Sequence, residues 1–361
     1  MNKALYDLIR VHYRDLQGYE SAGMEVAKDA DKIFLNANEN PYELPGLEGL
    51  NRYPEPQPFA LCEAYAQAYG VEGDQIIMTR GADEAIVTVT KIFCEPHQDA
   101  VLICPPTFGM YAVDAKAMPV DVVEVPLVKD AGTFAPDQDG IVTAVKRQGV
   151  KLVFLCSPNN PTGTSFSHEM ISELCEALEG HAIVVLDETY AEFSKAGSMA
   201  EDLESTPNLI ILRTLSKSYS FAGMRMGCFL CGDTDFVSFV KAKALDAYPL
   251  PRLSIEAAFH VLSPEVSAVA QENIKKILAE RARVAGVLAA SDQVVHIYPS
   301  DANFLLVEMS DAKGFHRFAE ENNVILRDFS AKPGTENCLR ISIGTPQEND
   351  VVLRLLEKFG A

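Results

Sequence analysis

Lys217 stands in the stretch Leu212-Arg213-Thr214-Leu215-Ser216-Lys217-Ser218-Tyr219, just after the apolar run Leu209-Ile210-Ile211-Leu212, and Arg225 follows in the same loop. A lysine at the mouth of a buried strand is a candidate Schiff-base former, if its amine can release a proton and meet a carbonyl-bearing cofactor. Alone, it reads as a solvated surface lysine; the company it keeps elsewhere in the chain overturns that. Three further polar clusters sit at comparable places. Ser157-Pro158-Asn159-Asn160-Pro161-Thr162-Gly163 follows the apolar run 152–156, and Asp187-Glu188-Thr189-Tyr190 follows 183–186. Thr79-Arg80-Gly81-Ala82-Asp83-Glu84 reads as a glycine-led helix start, whose backbone N–H groups suit a phosphate. Each also has a purely structural reading: a turn with a helix cap, a capping aspartate, an ordinary helix start. Together they match one chemistry. A pyridine-aldehyde cofactor needs a lysine for the imine and a carboxylate to keep its ring nitrogen protonated. It also needs donors for its phenolic oxygen and an anion site for its phosphate. Lys217, Asp187, Asn159 with Tyr190, and Gly81 to Asp83 with Ser216 and Arg225 supply these in turn.

For these residues to meet, strands must end on one side of a common sheet. Residues 75–78, 101–104, 120–125, 152–156, 183–186, 209–212 and 227–230 read as successive strands, most of them short continuous apolar runs. Such runs mark strands covered on both faces. Helical segments, among them 61–69, 81–93 and 170–178, lie between several of them. That order predicts an α/β fold with a mainly parallel sheet between helical layers, its ligands bound beyond the carboxyl ends of the strands. After Tyr248-Pro249-Leu250-Pro251 the rhythm changes. Helices over 254–262, 266–290, 313–322 and 348–359 alternate with strands over 294–298, 304–308, 324–326 and 339–343. They predict a second, smaller α/β layer with an antiparallel tendency. Near the start, Leu5, Leu8, Ile9 and Tyr13 give residues 3–14 a short helical face, and Ile33-Phe34-Leu35 is strand-like. The irregular stretch around Asn51-Arg52-Tyr53-Pro54 is of a kind that is either a plain surface loop or lies against a partner or a site.

The clusters 157–163 and 187–190, with Ser216-Lys217 and Arg225, resemble those of fold-type-I pyridoxal-phosphate aminotransferases. Leu35-Asn36-Ala37-Asn38-Glu39-Asn40-Pro41, Arg52-Tyr53-Pro54, Arg80-Gly81-Ala82-Asp83-Glu84, Ile325-Leu326-Arg327-Asp328 and Cys338-Leu339-Arg340-Ile341 narrow the likeness to the histidinol-phosphate aminotransferase family, from near Tyr19 to the C-terminus. The resemblance implies a large domain over 36–248 with a seven-stranded sheet, a small domain over 249–361, and a segment 1–35 that packs with the small domain. It implies pyridoxal 5'-phosphate as cofactor, with Lys217 carrying it as a Schiff base and then moving a proton. Asp187 would bond the ring nitrogen, and Asn159 and Tyr190 the phenolic oxygen. Ala82, Asp83, Ser216 and Arg225 would bind the phosphate, joined by Tyr53 from a neighbouring subunit, which implies a homodimer with shared sites. Phe108 falls where family members often have a ring-stacking Tyr, so it can stack but brings no hydroxyl. Arg327 and Arg340 match substrate anion-binding positions, and Tyr19 and Asn38 lie near the substrate. The implied reaction exchanges an amino group between L-histidinol phosphate and 2-oxoglutarate. An aromatic amino-acid aminotransferase or a decarboxylase of phosphothreonine type would use the same lysine.

Composition narrows the field independently. Across 361 residues the formal charge is -20, which argues against a nucleic-acid partner but allows a small anion held by a local cluster of arginines. Eight cysteines are scattered, mostly within apolar runs, as expected of small core hydrophobes in a reducing compartment. Cys228-Phe229-Leu230-Cys231 has the C-x-x-C form, but no second pair accompanies it and the segment reads as a strand. The seven histidines show no metal-ligand spacing. No G-x-G-x-x-G or G-x-x-x-x-G-K-[ST] loop occurs, which places a nicotinamide or nucleotide enzyme last. The charged, amphipathic N-terminus is unlike a signal peptide and no apolar run is long enough for a membrane span, so the expected location is the cytoplasm.

Overall fold

In the computed structural model, which describes residues 1–18, 33–130 and 132–360, the apolar runs pair into one seven-stranded sheet. In chain order its strands begin with β1 (Ile76–Thr79), β2 (Ala100–Ile103) and β3 (Asp121–Glu124). A separate hairpin of β4 (Val128–Asp130) and β5 (Thr133–Ala135) follows, and the sheet resumes with β6 (Val150–Cys156), β7 (Ile183–Asp187), β8 (Leu209–Thr214) and β9 (Gly227–Cys231). The spatial order is β1-β9-β8-β7-β6-β2-β3, and β9 alone runs antiparallel to its neighbours. The mainly parallel sheet expected from the sequence is thus present. Alternation explains the continuous apolar runs: Val184 and Leu186 enter one core while Ile183 and Val185 enter the other, and β8 divides its residues likewise. Cys228 and Cys231 fall into opposite cores, so they pack separately and form no pair.

The helices cover both faces. They are α1 (Lys3–Leu8), α2 (Val11–Asp15), α3 (Phe59–Tyr69), α4 (Ala82–Phe93), α5 (Met110–Ala117), α6 (Gln138–Arg147), α7 (His168–Leu178) and α8 (Thr234–Lys243). The single helical face expected over 3–14 is broken at Ile9 and Arg10, both extended. Competing partners explain the break: the Arg14 side chain donates to the Ile9 carbonyl (2.9 Å), and the Arg10 N–H donates to Ile92 O at the end of α4 (3.0 Å). Of the segment 1–35 expected to pack with the small domain, residues 1–18 do not, and residues 19–32 lie outside the described residues. Leu5, Leu8, Ile9 and Tyr13 are buried against α4 and α8 on the large sheet, not against residues 249–361. The Met1 amino group is paired with Asp233 and Asp235, and Arg10 with Glu95, on that same side. Residues 33–35 form no strand; Ile33 and Leu35 are 87% and 88% exposed.

Beyond α9 (Arg252–Leu262), which packs back onto α3, the chain builds its second layer. Here α10 (Pro264–Leu288), α11 (Ala312–Glu321) and α12 (Pro346–Phe359) cover β10 (Val294–Ile297), β11 (Phe304–Met309), β12 (Arg327–Asp328) and β13 (Cys338–Ser342). The order β10-β11-β13-β12 is antiparallel throughout. The strand expected at 324–326 is displaced to β12. The Val324 N–H still donates to Ala319 O in the terminal turn of α11, and Ile325 faces solvent. The two layers meet where Tyr190 and Phe193 pack with Ile274, Ala302 and Phe304, and where Asp301 N–H donates to Gly163 O (2.7 Å). No helix among the described residues is long and apolar enough to cross a membrane.

Candidate active site

Because β1, β6, β7 and β8 are parallel, the loops after them emerge on one side, and those loops carry the four polar clusters. They enclose a cleft with about 580 Å³ of empty space, lined by Ala82, Asp83, Phe108, Asn160, Asp187, Tyr190, Ser216, Lys217 and Arg225 among others. Eight of the expected site residues therefore share one cleft.

Lys217 projects its amine into this space, 6.0 Å from the centre of the Tyr190 ring. Burial of its stem and head by the cleft walls lowers the ammonium pKa from the usual lysine value, and the Arg340 cation lowers it further. Asp187, the last residue of β7, is 3% exposed. Its Oδ1 accepts from the Thr189 N–H (3.0 Å) and hydroxyl (2.6 Å), and its Oδ2 accepts from the Tyr111 hydroxyl (2.6 Å). Desolvation raises its pKa, opposed by those donors. Burial likewise pushes the Tyr190 phenol up, so it stays protonated and can donate.

The anion cradle rests on glycine. Gly81 takes φ +81°, caps α4 without a side chain, and leaves the first N–H groups of the helix open. A Cβ there would stand 2.7 Å from Arg225 Nη2, so glycine is what lets the guanidinium lie across the helix start. Arg225 itself holds a left-handed φ of 55°, is paired to Asp83 (3.0 Å), and donates to Ala222 O (3.2 Å). The Ser216 and Thr214 hydroxyls, 2.9 Å apart, complete the rim. Open helix N–H groups, a hydroxyl and a guanidinium fit a phosphate, and the buried carboxylate, phenol and lysine beyond them fit a pyridine-aldehyde ring.

Asn159 requires correction. It is 1% exposed, donates to Pro106 O and Thr162 Oγ1 (both 2.9 Å), and accepts from Thr107 Oγ1 (3.0 Å), so its amide is used up within the protein. Its neighbour Asn160 lines the cleft, donating to the Tyr190 hydroxyl (3.3 Å) and accepting from Arg340 Nη1. Two adjacent asparagines in one motif offered no way to tell inward from outward; the side-chain direction is decided by the turn. Tyr111 and Thr189, the partners of Asp187, are further site residues to which the sequence assigned no role. Phe108 meets Tyr111 edge-on, 5.5 Å between ring centres.

Arg340 lies on β13 with its guanidinium over Phe304 and Phe329, 5.2 and 5.7 Å from their ring centres. Burial lowers its pKa from the usual arginine value. Arg327 is its direct cross-strand neighbour on β12. Like charges directly opposite are destabilising, and among the described residues neither guanidinium is paired with a carboxylate, so the two together suit an anion. Tyr53 and Asn38 are not brought into the cleft. Both are exposed and line a separate groove, where the Tyr53 ring stacks on Tyr248 at 4.2 Å. Tyr19 lies outside the described residues.

Comparison with known proteins agrees with this geometry. The family model for aminotransferase class I and II matches residues 30–356. The histidinol-phosphate aminotransferase of Xylella fastidiosa is 39% identical over 357 residues, 98% of this chain and 97% of that protein. That of Xanthomonas campestris pv. campestris is 40% identical over 357 residues, 98% of both chains. Among solved structures, the histidinol-phosphate aminotransferase of Sinorhizobium meliloti, in complex with pyridoxal-5'-phosphate, superimposes with a TM-score of 0.77 at 24% identity, covering 86% of this chain and 83% of that one. The Clostridium acetobutylicum enzyme of the same name gives 0.76 at 21%, covering 86% and 90%. At those identities the superpositions speak for the fold, and the longer, closer matches speak for the family. The chain belongs to the class I and II aminotransferases, on the branch of the histidinol-phosphate aminotransferases.

Proposed function

We propose that this chain is a pyridoxal-phosphate-dependent aminotransferase that converts L-histidinol phosphate and 2-oxoglutarate to imidazole-acetol phosphate and L-glutamate, a step of histidine biosynthesis. The observation that carries this reading is the convergence, in one cleft, of the Lys217 amine, the buried Asp187 carboxylate and the cradle of Gly81 and Arg225. The names of the relatives at 39–40% identity support the substrate.

Pyridoxal phosphate, when bound, supplies an electron sink that lets the substrate Cα–H bond break. Lys217 would hold it covalently, and its amine would be the base that takes the Cα proton and returns it. A depressed lysine pKa makes that neutral amine available at lower pH than on a surface lysine. Asp187 would keep the ring nitrogen protonated, and Asn160 and Tyr190 would hold the phenolic oxygen. Phe108 would stack on the ring. The N–H groups of Ala82 and Asp83, with Ser216 and Arg225, would take the phosphate. Arg340 and Arg327 would receive the substrate phosphate or, in the second half-reaction, a carboxylate.

The active unit in this reading is a cytoplasmic homodimer. Ile33, Leu35, Tyr42, Leu44, Leu47 and Phe59 are exposed beside the groove of Asn38 and Tyr53, which fits a surface that a second copy covers while Tyr53 reaches that copy's cleft. All eight cysteines are free and buried, as suits a reducing compartment. Residues 36–248 and 249–361 would act as the large and small domains. An absorption spectrum taken before and after adding L-histidinol phosphate, with no oxo acid, tests the whole reading. The yellow cofactor band should convert to that of the aminated cofactor. A band that ignores histidinol phosphate but shifts with phenylalanine would reassign the substrate, and no band after reconstitution would end the proposal.

A further inference from the structure

Asp187 is a carboxylate in an unusual position. It is almost fully buried, and among the described residues no cation lies within ion-pairing distance of it. Left alone, burial would drive it to the neutral acid, which could not hold a protonated ring nitrogen. Three donors work against that. Two come from Thr189 and both fall on Oδ1; the Tyr111 hydroxyl, at 2.6 Å, is the one donor to Oδ2 among the described residues. Tyr111 is held by more than this bond. It sits in the first turn of α5, fully buried, stacked on Phe154 at 4.8 Å and 8° and met edge-on by Phe108. Packing on two sides fixes the ring and so fixes where its hydroxyl oxygen stands, between Asp187 and the Cys156 thiol.

We propose that Tyr111 is a positioning residue for the aminotransferase reaction: its hydroxyl keeps Asp187 ionised and turned so that the free lone pair of Oδ2 faces the cleft. Oδ1 is saturated by Thr189, whereas Oδ2 has one acceptor site filled and one open. The carboxylate is therefore aimed before any cofactor arrives. The inference rests on the reading of the cleft as a pyridoxal-phosphate site. The other groups around Asp187 are Cys156 at the end of β6, Asp83 in α4, Tyr190 after β7 and Lys217 after β8. Of these, the Cys156 thiol also meets the Tyr111 hydroxyl, and Tyr111→Phe keeps the ring packed beside it.

The test is cofactor affinity, measured by titrating the full-length apoprotein with pyridoxal phosphate from pH 5 to pH 9. Tyr111→Phe keeps the ring and its stacking but removes the donor, so Asp187 takes up a proton at higher pH. Affinity should fall about tenfold or more at the acid end, the scale of one hydrogen bond to a charged group, and approach the wild-type value at the alkaline end. 3-Fluorotyrosine placed at position 111 is a stronger donor and should move the acid midpoint the other way, to lower pH. If Tyr111→Phe does not fold, that second variant decides alone. Wild-type affinity at every pH, an equal loss at every pH, or an unmoved midpoint with 3-fluorotyrosine would each overturn the assignment, since a packing role predicts one of these. If the wild-type protein itself takes up no pyridoxal phosphate, the cofactor reading falls and this one with it. If it does and the variants match it, the role of Tyr111 alone falls.

Discussion

At the scale of single residues, two adjacent asparagines divide the work. Asn160 joins the Tyr190 hydroxyl to Arg340 at the cleft wall, whereas Asn159 ties the loop at 106–107 to Thr162. Asn160→Ala should lower kcat/KM by at least about tenfold with little change in melting temperature, because the lost bonds face the reacting groups. Asn159→Ala should instead cost stability, about 2–3 kcal/mol, by stranding buried partners; thermal unfolding and steady-state rates on both variants would reverse the assignment if the effects were exchanged. Lys217 and Arg340 are coupled through charge. Burial is the larger cause of the lowered lysine pKa, and the Arg340 cation adds to it. Removing that cation lets the ammonium keep its proton longer, so Arg340→Met should shift the pH midpoint for capture of pyridoxal phosphate by the apoprotein upward. A midpoint that stays or falls would show that Arg340 does not act on Lys217.

At the scale of elements, the site depends on how strands and helices begin and end. The cradle exists because α4 starts on a glycine at φ +81° rather than on a capping side chain. Gly81→Ala brings a Cβ within 2.7 Å of Arg225 Nη2 and forces a residue that disfavours that backbone. It should destabilise the fold by about 1–3 kcal/mol and weaken binding of pyridoxal phosphate more than binding of the unphosphorylated aldehyde. Equal weakening of both would mean that the helix start plays no special part in holding phosphate. The loop after β7 is pinned by a buried ion pair: Glu188 and Glu192 both accept from Arg213 of β8 at 2.8 Å, and the guanidinium lies over the buried Tyr69, 4.3 Å from the ring centre. That network fixes the strand end on which Asp187 and Tyr190 stand.

At the scale of the whole molecule, the described chain ends its own cleft early. Arg340 and Asn160 connect the second layer to the first, as does the Asp301–Gly163 bond, but Tyr53 and Asn38 stay outside. The exposed apolar side chains beside them, with Leu35 at 88% and Leu44 at 65%, supply the reason to expect a second copy. Sedimentation should give twice the 39.5 kDa chain mass for the wild type and the chain mass for Leu35→Asp with Leu44→Asp, with most activity lost. A wild-type monomer with full activity would remove the shared site.

The strand positions of the large sheet, the change of rhythm after Pro251 and the grouping of Lys217, Asp187, Tyr190 and Arg225 were legible because buried parallel strands write themselves as apolar runs and leave their polar residues at one end. α5, with just Tyr111 and Ala115 buried, has too little apolar periodicity to announce itself, and α1 and α2 read as one helix because their apolar spacing is intact across the break. What the linear order alone determined is which chemistry the chain can do: residue types and their place after strands carry that. Tertiary structure decided which side chains face the cleft. Whether Asn159 or Asn160 turns inward, whether Tyr111 reaches Asp187, and that the first helices lie on the large sheet depend on backbone torsions and on partners far away in sequence, such as Ile92 for Arg10 and Arg340 for Asn160. Neighbouring residue types hold no record of those partners.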